Sequence, residues 1–446
     1  MLDIFEEPTK FTRPETPVPA VTEPKFKFVP AISEQILNVL YKGRETLNGK
    51  QLNWWQKNSL FDMKTGLLSA YYLYIRTEDN FKNFRREIQF PADSLFILDS
   101  GGYEILSLQN NPDPSHKNLL DILTPEKIVE IQEPNCDIGF ILDVPPYKTV
   151  IKLDGSREHL IHDPAFFKYC KETTAKNTER ALSARRPNSP LKIYGVLQGK
   201  DYELMHEWYD RMKAYPVDGY CLTPKPNSDY TKTAMFISLI LEENIQKPIH
   251  FLGISGFSTF ALIIYLLRKD INGVPYYSHL ITSDSSSYDN GARRRNYILP
   301  DLTSNITIGR IENQLNNDVN GNVFIDTHAN SSTIPLNTLP CICPVCQNTS
   351  VAEMRAGTNP GSIAVSLHNL YQQKTLIQLL TSLITDPETY KSFVLAHVKS
   401  PANRLEIDNF FTLIDNTIEY QRERSSEHIS WEAYFNCKNG DLELFK

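Results

Sequence analysis

The sequence predicts an α/β protein, a (β/α)8 TIM barrel with an inserted or appended zinc-binding subdomain and a helical C-terminal extension. Three observations lead to this prediction. Short β-branched or aromatic runs alternate with amphipathic helical stretches from about residue 60 to about residue 310, as in parallel strands joined by helical crossovers. Polar residues and glycines recur where the strand-like runs end. Three cysteines and a histidine at metal-ligand spacing follow that region.

Six strand-like runs define the barrel, and two further strands fit on their N-terminal side. The six runs are residues 95–98, 138–142, 192–197, 219–222, 249–252 and 280–282. Helical stretches lie between them, at residues 164–184, 201–214, 232–243 and 258–269. Thr124 followed by Pro125 is a typical helix start. No G-x-G-x-x-G follows any of these runs, which disfavours an open dinucleotide-binding sheet.

Composition divides the chain into four predicted segments. They are a Pro-rich N-terminal arm (1–35), the barrel (36–335), a zinc-binding subdomain (336–375) and a helical C-terminal extension (376–446). Apolar residues in the extension recur at i, i+3, i+4, i+7 and i+8, namely Leu376, Leu379, Leu380, Leu383 and Ile384. That spacing forms the apolar face of an amphipathic helix. We expect it to pack on the zinc subdomain or the barrel rather than on a partner protein.

Charge and apolar content predict a soluble, cytoplasmic protein without membrane contact. The longest apolar run, residues 260–267, is far too short to span a bilayer. The N-terminus lacks the basic and apolar regions of a signal peptide, and four cysteines lie scattered along the chain, as in reducing compartments. The net charge of −7 argues against indiscriminate nucleic-acid binding but allows a local basic patch.

The three clustered cysteines are Cys341, Cys343 and Cys346, and His368 follows them. Three thiolates and one imidazole form the tetrahedral S₃N donor set that Zn²⁺ favours. The alternative is a chance cluster of reduced thiols. We predict a structural zinc site, because four protein ligands leave no open position for catalysis.

Polar residues follow five of the predicted strands. They are Asp99-Ser100-Gly101-Gly102-Tyr103, Asp143, Gln198-Gly199, Gly253 and Asp284. In a (β/α)8 barrel these positions converge at the carboxyl-terminal mouth, where active sites lie. The alternative for each residue alone is a helix cap or a turn. A metal-dependent barrel hydrolase is disfavoured, because no histidine cluster occurs at the strand ends.

Several segments resemble the tRNA-guanine transglycosylase superfamily, in the family's order and spacing. Residues 99–104 resemble its D-S-G-G-[FY]-Q signature, residues 196–199 its V-Q-G segment and residues 217–220 its F-D-G-[YF] segment. The helix over residues 123–132 and the C-x-C-x-x-C…H layout also agree. The resemblance covers about residues 65 to 375.

The resemblance implies a pentosyltransferase that exchanges guanine in nucleic acid for a 7-deazaguanine, without ATP or a redox cofactor. Asp284 matches the nucleophile that forms the covalent sugar intermediate, with Asp289 as the runner-up. Asp99 matches the general acid/base. Asp143 matches the carboxylate that accepts two donors of the base.

Further base contacts are expected from Ser100, Tyr103, Gln198, Gly199 and Gly253. Gln198 and the Gly199 amide can donate to the 6-oxo group, and Tyr103 can stack on the base or simply pack at the mouth. Arg293, Arg294 and Arg295 lie behind the nucleophile. We predict that they bind phosphates flanking the target nucleotide; the alternative is a solvated charge run.

The sequence departs from the family where the incoming base and the polynucleotide are held. Cys221-Leu222-Thr223-Pro224-Lys225-Pro226 replaces G-G-L-A-V-G-E, residues 284–290 replace D-C-V-L-P-T-R, and Glu104 replaces a glutamine. These departures resemble the DpdA-like branch, which places preQ0-type 7-deazaguanines in DNA. A queuine- or archaeosine-type tRNA substrate is the alternative. A non-catalytic partner subunit is disfavoured, because Asp99, Asp143 and Asp284 are kept.

A base buried in duplex DNA must leave the stack before it can react. No ATPase motif occurs in the sequence. We therefore expect either a single-stranded substrate or an accessory ATPase or helicase-like partner.

Overall fold

The computed structural model describes most of the chain. The described residues are 26–34, 36–38, 46–102, 104, 119–151, 157–161, 164–224, 230–269, 273–294, 296–300, 305–307, 338–355, 359–423, 431 and 434–435.

Eight parallel strands form one sheet; the second to the eighth strand follow one another in chain order, and the first strand pairs with the eighth. The strands are β1 (Phe26–Pro30), β2 (Thr65–Ser69), β3 (Leu95–Asp99), β4 (Ile138–Phe140), β5 (Lys192–Leu197), β6 (Gly219–Leu222), β7 (Ile249–Phe251) and β8 (Ile281–Ser285). Such an order of parallel strands is that of a (β/α)8 barrel. The fold prediction is confirmed, and the six strand-like runs each lie on one of these strands.

The barrel closes between its first two strands. β1 pairs with β8 along its whole length, from Phe26 opposite Ile281 to Pro30 opposite Ser285. On its other side, β1 meets β2 through a single bridge between Ala31 and Leu67. The Ile32 N–H donates to the Leu67 carbonyl at 2.7 Å. The sheet is therefore a nearly closed barrel.

Strand β1 lies inside the segment 1–35 that the sequence assigned to an N-terminal arm. Phe26, Phe28 and Val29 are buried, and Pro30 ends the strand, a position where a proline costs no ladder hydrogen bond. Prolines flank this short apolar run, and they led the sequence analysis to assign it to an extended arm rather than to a strand. The barrel therefore begins earlier than predicted.

Helices connect the strands and continue beyond the barrel. They span Ala70–Thr77, Phe84–Glu87, Leu119–Ile122, Pro125–Gln132, Pro164–Ala184, Tyr202–Met212, Tyr230–Glu242, Phe257–Tyr265, Ser287–Arg293, Val351–Arg355, Asn359–Leu383, Pro387–His397 and Pro401–Glu423. Thr124 caps Pro125–Gln132 as predicted, because its hydroxyl oxygen accepts from the Lys127 N–H at 3.3 Å. Asp201 caps the helix Tyr202–Met212 in the same way.

Shorter elements complete the described structure. Two 3₁₀ turns span Glu78–Asn83 and Cys346–Asn348, and three hairpins pair Thr46–Leu47 with Lys50–Gln51, Tyr147–Ile151 with Arg157–Ile161, and Asn296–Ile298 with Asn305–Thr307. None of the helices within the described ranges combines the length and the apolar character that a membrane crossing requires.

The C-terminal helices pack on the barrel. Leu376, Leu380 and Ile384 are buried in the main hydrophobic core, in line with the packing interpretation of this apolar face. The helix Asn359–Leu383 lies against Ser287–Arg293, the helix that follows β8. Further on, the Tyr390 hydroxyl donates to the Ala261 carbonyl at 2.7 Å. The contact between Asn359–Leu383 and Ser287–Arg293 joins the metal-ligand region to the segment after the last barrel strand.

Candidate active site and metal centre

Asp284 lies on β8 and is only 5% exposed. Its Oδ1 accepts the Gly253 N–H at 2.7 Å and lies 3.0 Å from the His250 Nε2. Gly253 has φ of +73°, in the left-handed region that favours glycine. The glycine after β7 therefore turns its N–H toward the end of β8, and this contact supports including Gly253 in the site.

Asp99 ends β3, and its Oδ1 accepts the Gly101 N–H at 2.7 Å. Gly101 has φ of +78°, and a Cβ there would lie 2.5 Å from the Tyr71 Cβ, so the turn requires glycine. Burial raises the pKa of Asp99 well above its usual range, and the charges of Glu104 and Asp284 raise it further. The protonated form of Asp99 is therefore favoured relative to an exposed carboxyl group, and the charge of Asp284 is one of the causes.

Asp143 follows β4 and contacts the end of β5. The Gln198 Nε2 donates to the Asp143 Oδ2 at 2.7 Å. Burial raises the pKa of Asp143 to about 6, against the opposing effect of the Gln198 hydrogen bond. A Cβ on Gly102 would lie 2.7 Å from the Asp143 Oδ1, so the glycine turn after Asp99 packs closely on this carboxylate.

Thr223, which follows β6, completes a hydrogen-bonded chain that the sequence did not predict. Its hydroxyl contacts the Gln198 Oε1 and lies 2.9 Å from the Leu197 carbonyl. The Gln198 amide is therefore oriented with its NH₂ group toward Asp143. The only signal in the sequence was the departure from the family at Cys221-Leu222-Thr223.

The remaining predicted site residues differ in their surroundings. Ser100 is buried, and its Oγ accepts the Gly102 N–H at 3.3 Å, which agrees with the turn alternative. A Cβ on Gly199 would lie 2.7 Å from the Met205 N, so close helix packing requires glycine there. Tyr103 and Arg295 lie outside the described residues.

Asp289 is buried on the helix Ser287–Arg293, and both of its oxygens are engaged. Oδ1 accepts the Ser366 hydroxyl at 3.0 Å, and Oδ2 accepts the Ser33 hydroxyl at 2.7 Å. The Arg293 Nη2 lies 2.8 Å from Oδ2, and the Arg293 side chain is 45% exposed. These contacts join the helix Ser287–Arg293 to the segments that carry Ser33 and Ser366. The neighbouring residue Arg294 is exposed.

His250 lies on β7 beside Asp284 and is 0% exposed. Strand register sets it opposite Thr282, and its Nδ1 lies 2.8 Å from the Thr282 Oγ1. Its ring centroid lies 4.8 Å from that of Phe140. This histidine is not part of a histidine cluster in the sequence, and its role was therefore not predicted. The available signal was a single histidine inside an otherwise apolar strand run.

The predicted metal ligands come together. The ligand atoms of Cys341, Cys343, Cys346 and His368 all lie within 4.8 Å of one another. The His368 Nε2 lies 2.7 Å from the Ile298 carbonyl, so the Nε2–H tautomer leaves Nδ1 free to coordinate. Tyr297 stacks on the His368 ring at 3.7 Å. The S₃N donor set fits a tetrahedral metal ion.

Part of the chain is similar to curated proteins that share one name. No protein-family model matches the chain. The chain is 26% identical over 183 residues to "Queuine tRNA-ribosyltransferase" of Bacillus cereus (strain B4264), covering 37% of this chain and 44% of that protein. It is 26% identical over 211 residues to the Oceanobacillus iheyensis protein of the same name, covering 43% and 51%.

The chain thus spans about half the length of the curated relatives it matches. This similarity is low, and it agrees with the resemblance to the tRNA-guanine transglycosylases that several segments of the sequence show.

Proposed function

We propose that this protein exchanges guanine in DNA for a preQ0-type 7-deazaguanine through a covalent bond between Asp284 and the sugar. The observation that carries the proposal is the pair of carboxyl groups at the ends of β3 and β8, the half-buried Asp99 and the buried Asp284, whose charges interact. Base exchange at an anomeric carbon requires a nucleophile and an acid/base. A third carboxyl group, Asp143, stands beside them to recognise the base.

Asp284 acts as the nucleophile. Its Oδ2 attacks the anomeric carbon of the target nucleotide, and the bond to guanine N9 breaks with its electron pair leaving on the base. Asp99 gives its proton to the departing guanine and then takes a proton from the incoming base. That base attacks the same carbon, and the ester bond breaks with its electrons returning to Asp284. The contacts of Asp289 support Asp284 in this role, because both Asp289 oxygens bind other parts of the fold.

Asp143 and Gln198 recognise the base. A carboxylate accepts the two adjacent donors of guanine, the ring N–H and the exocyclic amine. The NH₂ group of Gln198 lies next to that carboxylate, where it can donate to the 6-oxo group. Ser100, Tyr103 and the amides of Gly199 and Gly253 complete the proposed base site.

The pH dependence of base binding tests this role. Asp143 is charged above its pKa of about 6 and accepts two donors; below that pH it is protonated and loses this capacity. We expect the KM for guanine to rise about tenfold for each pH unit below about 6. Steady-state exchange between about pH 5 and pH 8 measures it. Asp143→Asn is expected to bind guanine weakly at every pH, and a wild-type KM independent of pH would contradict the assignment.

The metal in the S₃N site is proposed to be Zn²⁺, held by Cys341, Cys343, Cys346 and His368. Zn²⁺ bound by four protein ligands supplies folding energy and no chemistry. No ATP and no redox cofactor enter the proposed reaction, because the nucleophile, the proton donor and the leaving base account for every bond.

Arg293, Arg294 and Arg295 follow the nucleophile in the sequence and are proposed to bind phosphates. Arg293 is already paired with Asp289, so Arg294 is the sharper test. We expect Arg294→Ala to weaken binding to all sequences alike and to reduce the slope of log K against log salt by about 0.9. Fluorescence anisotropy over a salt series measures this slope.

Lys192→Ala is the matched control for that prediction. Lys192 begins β5 at the opposite end of the barrel, and its side chain is 62% exposed. Its removal is expected to leave the slope unchanged. Equal slopes in Arg294→Ala and the wild type would show that Arg294 does not bind phosphate and that another surface of the protein does.

Incorporation of labelled guanine into matched DNA and RNA hairpins tests the proposed function. Exchange into DNA is expected, since the departures at residues 221–226 and 284–290 resemble the DNA-modifying branch. Preferential exchange into RNA would favour the queuine- or archaeosine-type tRNA alternative. No exchange into either would favour a non-catalytic partner subunit.

The target base must leave the duplex stack before it reacts. We propose that the substrate is single-stranded, or that an accessory ATPase or helicase-like partner opens the duplex. The same assay with relaxed linear duplex tests this point. Full exchange on the duplex by the purified chain alone would remove the need for a partner.

A further inference from the structure

A buried histidine, His250, lies beside the proposed nucleophile Asp284. His250 is buried on β7, three residues before the mouth glycine Gly253. Its Nε2 lies 3.0 Å from the Asp284 Oδ1, and its Nδ1 lies 2.8 Å from the Thr282 Oγ1. Both ring nitrogens are therefore engaged on β8, on the same face as the nucleophile.

The hydrogen bonds define which nitrogen carries the proton. A carboxylate oxygen only accepts hydrogen bonds, so the Nε2 that faces Asp284 must carry hydrogen. In the neutral ring, Nδ1 is then an acceptor, and the Thr282 hydroxyl can donate to it at 2.8 Å. The other acceptor near that hydroxyl, the Ile249 carbonyl, is more distant at 3.3 Å. Thr282 therefore holds the ring in the tautomer that donates to Asp284.

The two oxygens of Asp284 stand in different environments. Oδ1 accepts from His250 and from the Gly253 N–H at 2.7 Å. Among the residues that the structure describes, none donates to Oδ2. Donors on one oxygen orient the carboxylate and leave the lone pairs of the other oxygen for attack.

We propose that His250 is a positioning residue, which together with Gly253 holds the Asp284 Oδ1 so that Oδ2 attacks the anomeric carbon. The inference rests on the proposed function. When Oδ2 bonds to the sugar, Oδ1 becomes the ester carbonyl and still accepts both hydrogen bonds. When the ester breaks, the same donors stabilise the charge that returns to the carboxylate. His250 neither gains nor loses a proton in either step.

Three variants at this position separate hydrogen bonding from packing. Gln can present its terminal N–H at the reach of the histidine Nε2, Asn only at the reach of Nδ1, and Leu has no donor. We expect His250→Leu and His250→Asn to lower kcat for guanine exchange about 100-fold, with KM for guanine within about twofold of wild type. His250→Gln is expected to retain at least about tenfold more kcat than His250→Asn.

The readout combines steady-state exchange, rapid-quench measurement of the covalent protein–nucleic-acid adduct, and thermal unfolding of each variant. Slower adduct formation in His250→Asn than in His250→Gln, at similar unfolding midpoints, is the expected result. Should the Leu variant not fold, the Gln and Asn pair decides the question. Equal kcat in the Gln and Asn variants would overturn the inference, because the ring would then act by packing alone.

The outcome also distinguishes this inference from the proposed function. A wild-type chain that exchanges guanine, with a His250→Asn variant that exchanges it equally fast, overturns the positioning role alone. A wild-type chain that exchanges no guanine into DNA or RNA overturns the proposed function and the positioning role with it.

Discussion

Asp284→Asn is expected to lose guanine exchange by at least about 10⁴-fold while keeping its fold and its affinity for nucleic acid. A neutral amide cannot form the ester with the sugar. Asn can still accept the Gly253 N–H through its amide oxygen, so the local structure is expected to persist. Incorporation of labelled guanine measures the loss, and anisotropy with the same hairpin measures the affinity.

Asp289→Asn is the matched control for this prediction. Asp289 is buried and pairs with Arg293, and removing its charge leaves that arginine with a weaker partner. We expect a loss of stability of about 2 kcal/mol, because the hydrogen bonds to the buried side chain become weaker, with exchange retained at temperatures where the variant is folded. Loss of exchange in Asp289→Asn and its retention in Asp284→Asn would reassign the nucleophile.

Cys343→Ser is expected to have the largest effect on stability. A buried Sγ of the S₃N set is lost, and the metal-binding free energy that contributes to folding is reduced by about 5 kcal/mol. Metal analysis of the purified protein and thermal unfolding measure the two effects. Because the helix that carries His368 packs on Ser287–Arg293, activity is expected to fall together with stability.

Ile342→Ser is the control within the same loop. Ile342 lies between two of the ligands and is 86% exposed, so its replacement changes the loop without removing a ligand. Metal content and unfolding midpoint are expected to match the wild type. A Cys343→Ser protein that has lost its metal but unfolds at the wild-type temperature would show that the site does not stabilise the fold.

Local patterns in the sequence were enough to predict most of the barrel and the metal cluster. Helix Pro164–Ala184 has the predicted bounds, and β5 and β6 coincide with their strand-like runs. Periodicity, caps and ligand spacing are encoded within a few residues of one another. The three cysteines are close in sequence, and only His368 had to be brought in by the fold.

The missed features depend on contacts between distant segments. β1 became recognisable as a strand only through its pairing with β8, more than 250 positions further on. His250 reaches Asp284 through the register of β7 on β8, and Thr223 reaches Gln198 across the ends of two strands. No short-range pattern encodes which side chains meet inside the barrel, since strand register is set by the whole sheet.

Intact-mass analysis of the protein after denaturing quench of a single turnover tests the central claim most directly. The wild-type chain, incubated with a guanine-containing hairpin in the absence of a second base, is expected to carry one covalently bound polynucleotide. Peptide mapping is expected to place the bond on Asp284, and the adduct is expected to be absent from Asp284→Asn. An adduct of the same yield in Asp284→Asn, or guanine exchange by the wild type without any adduct, would contradict the account.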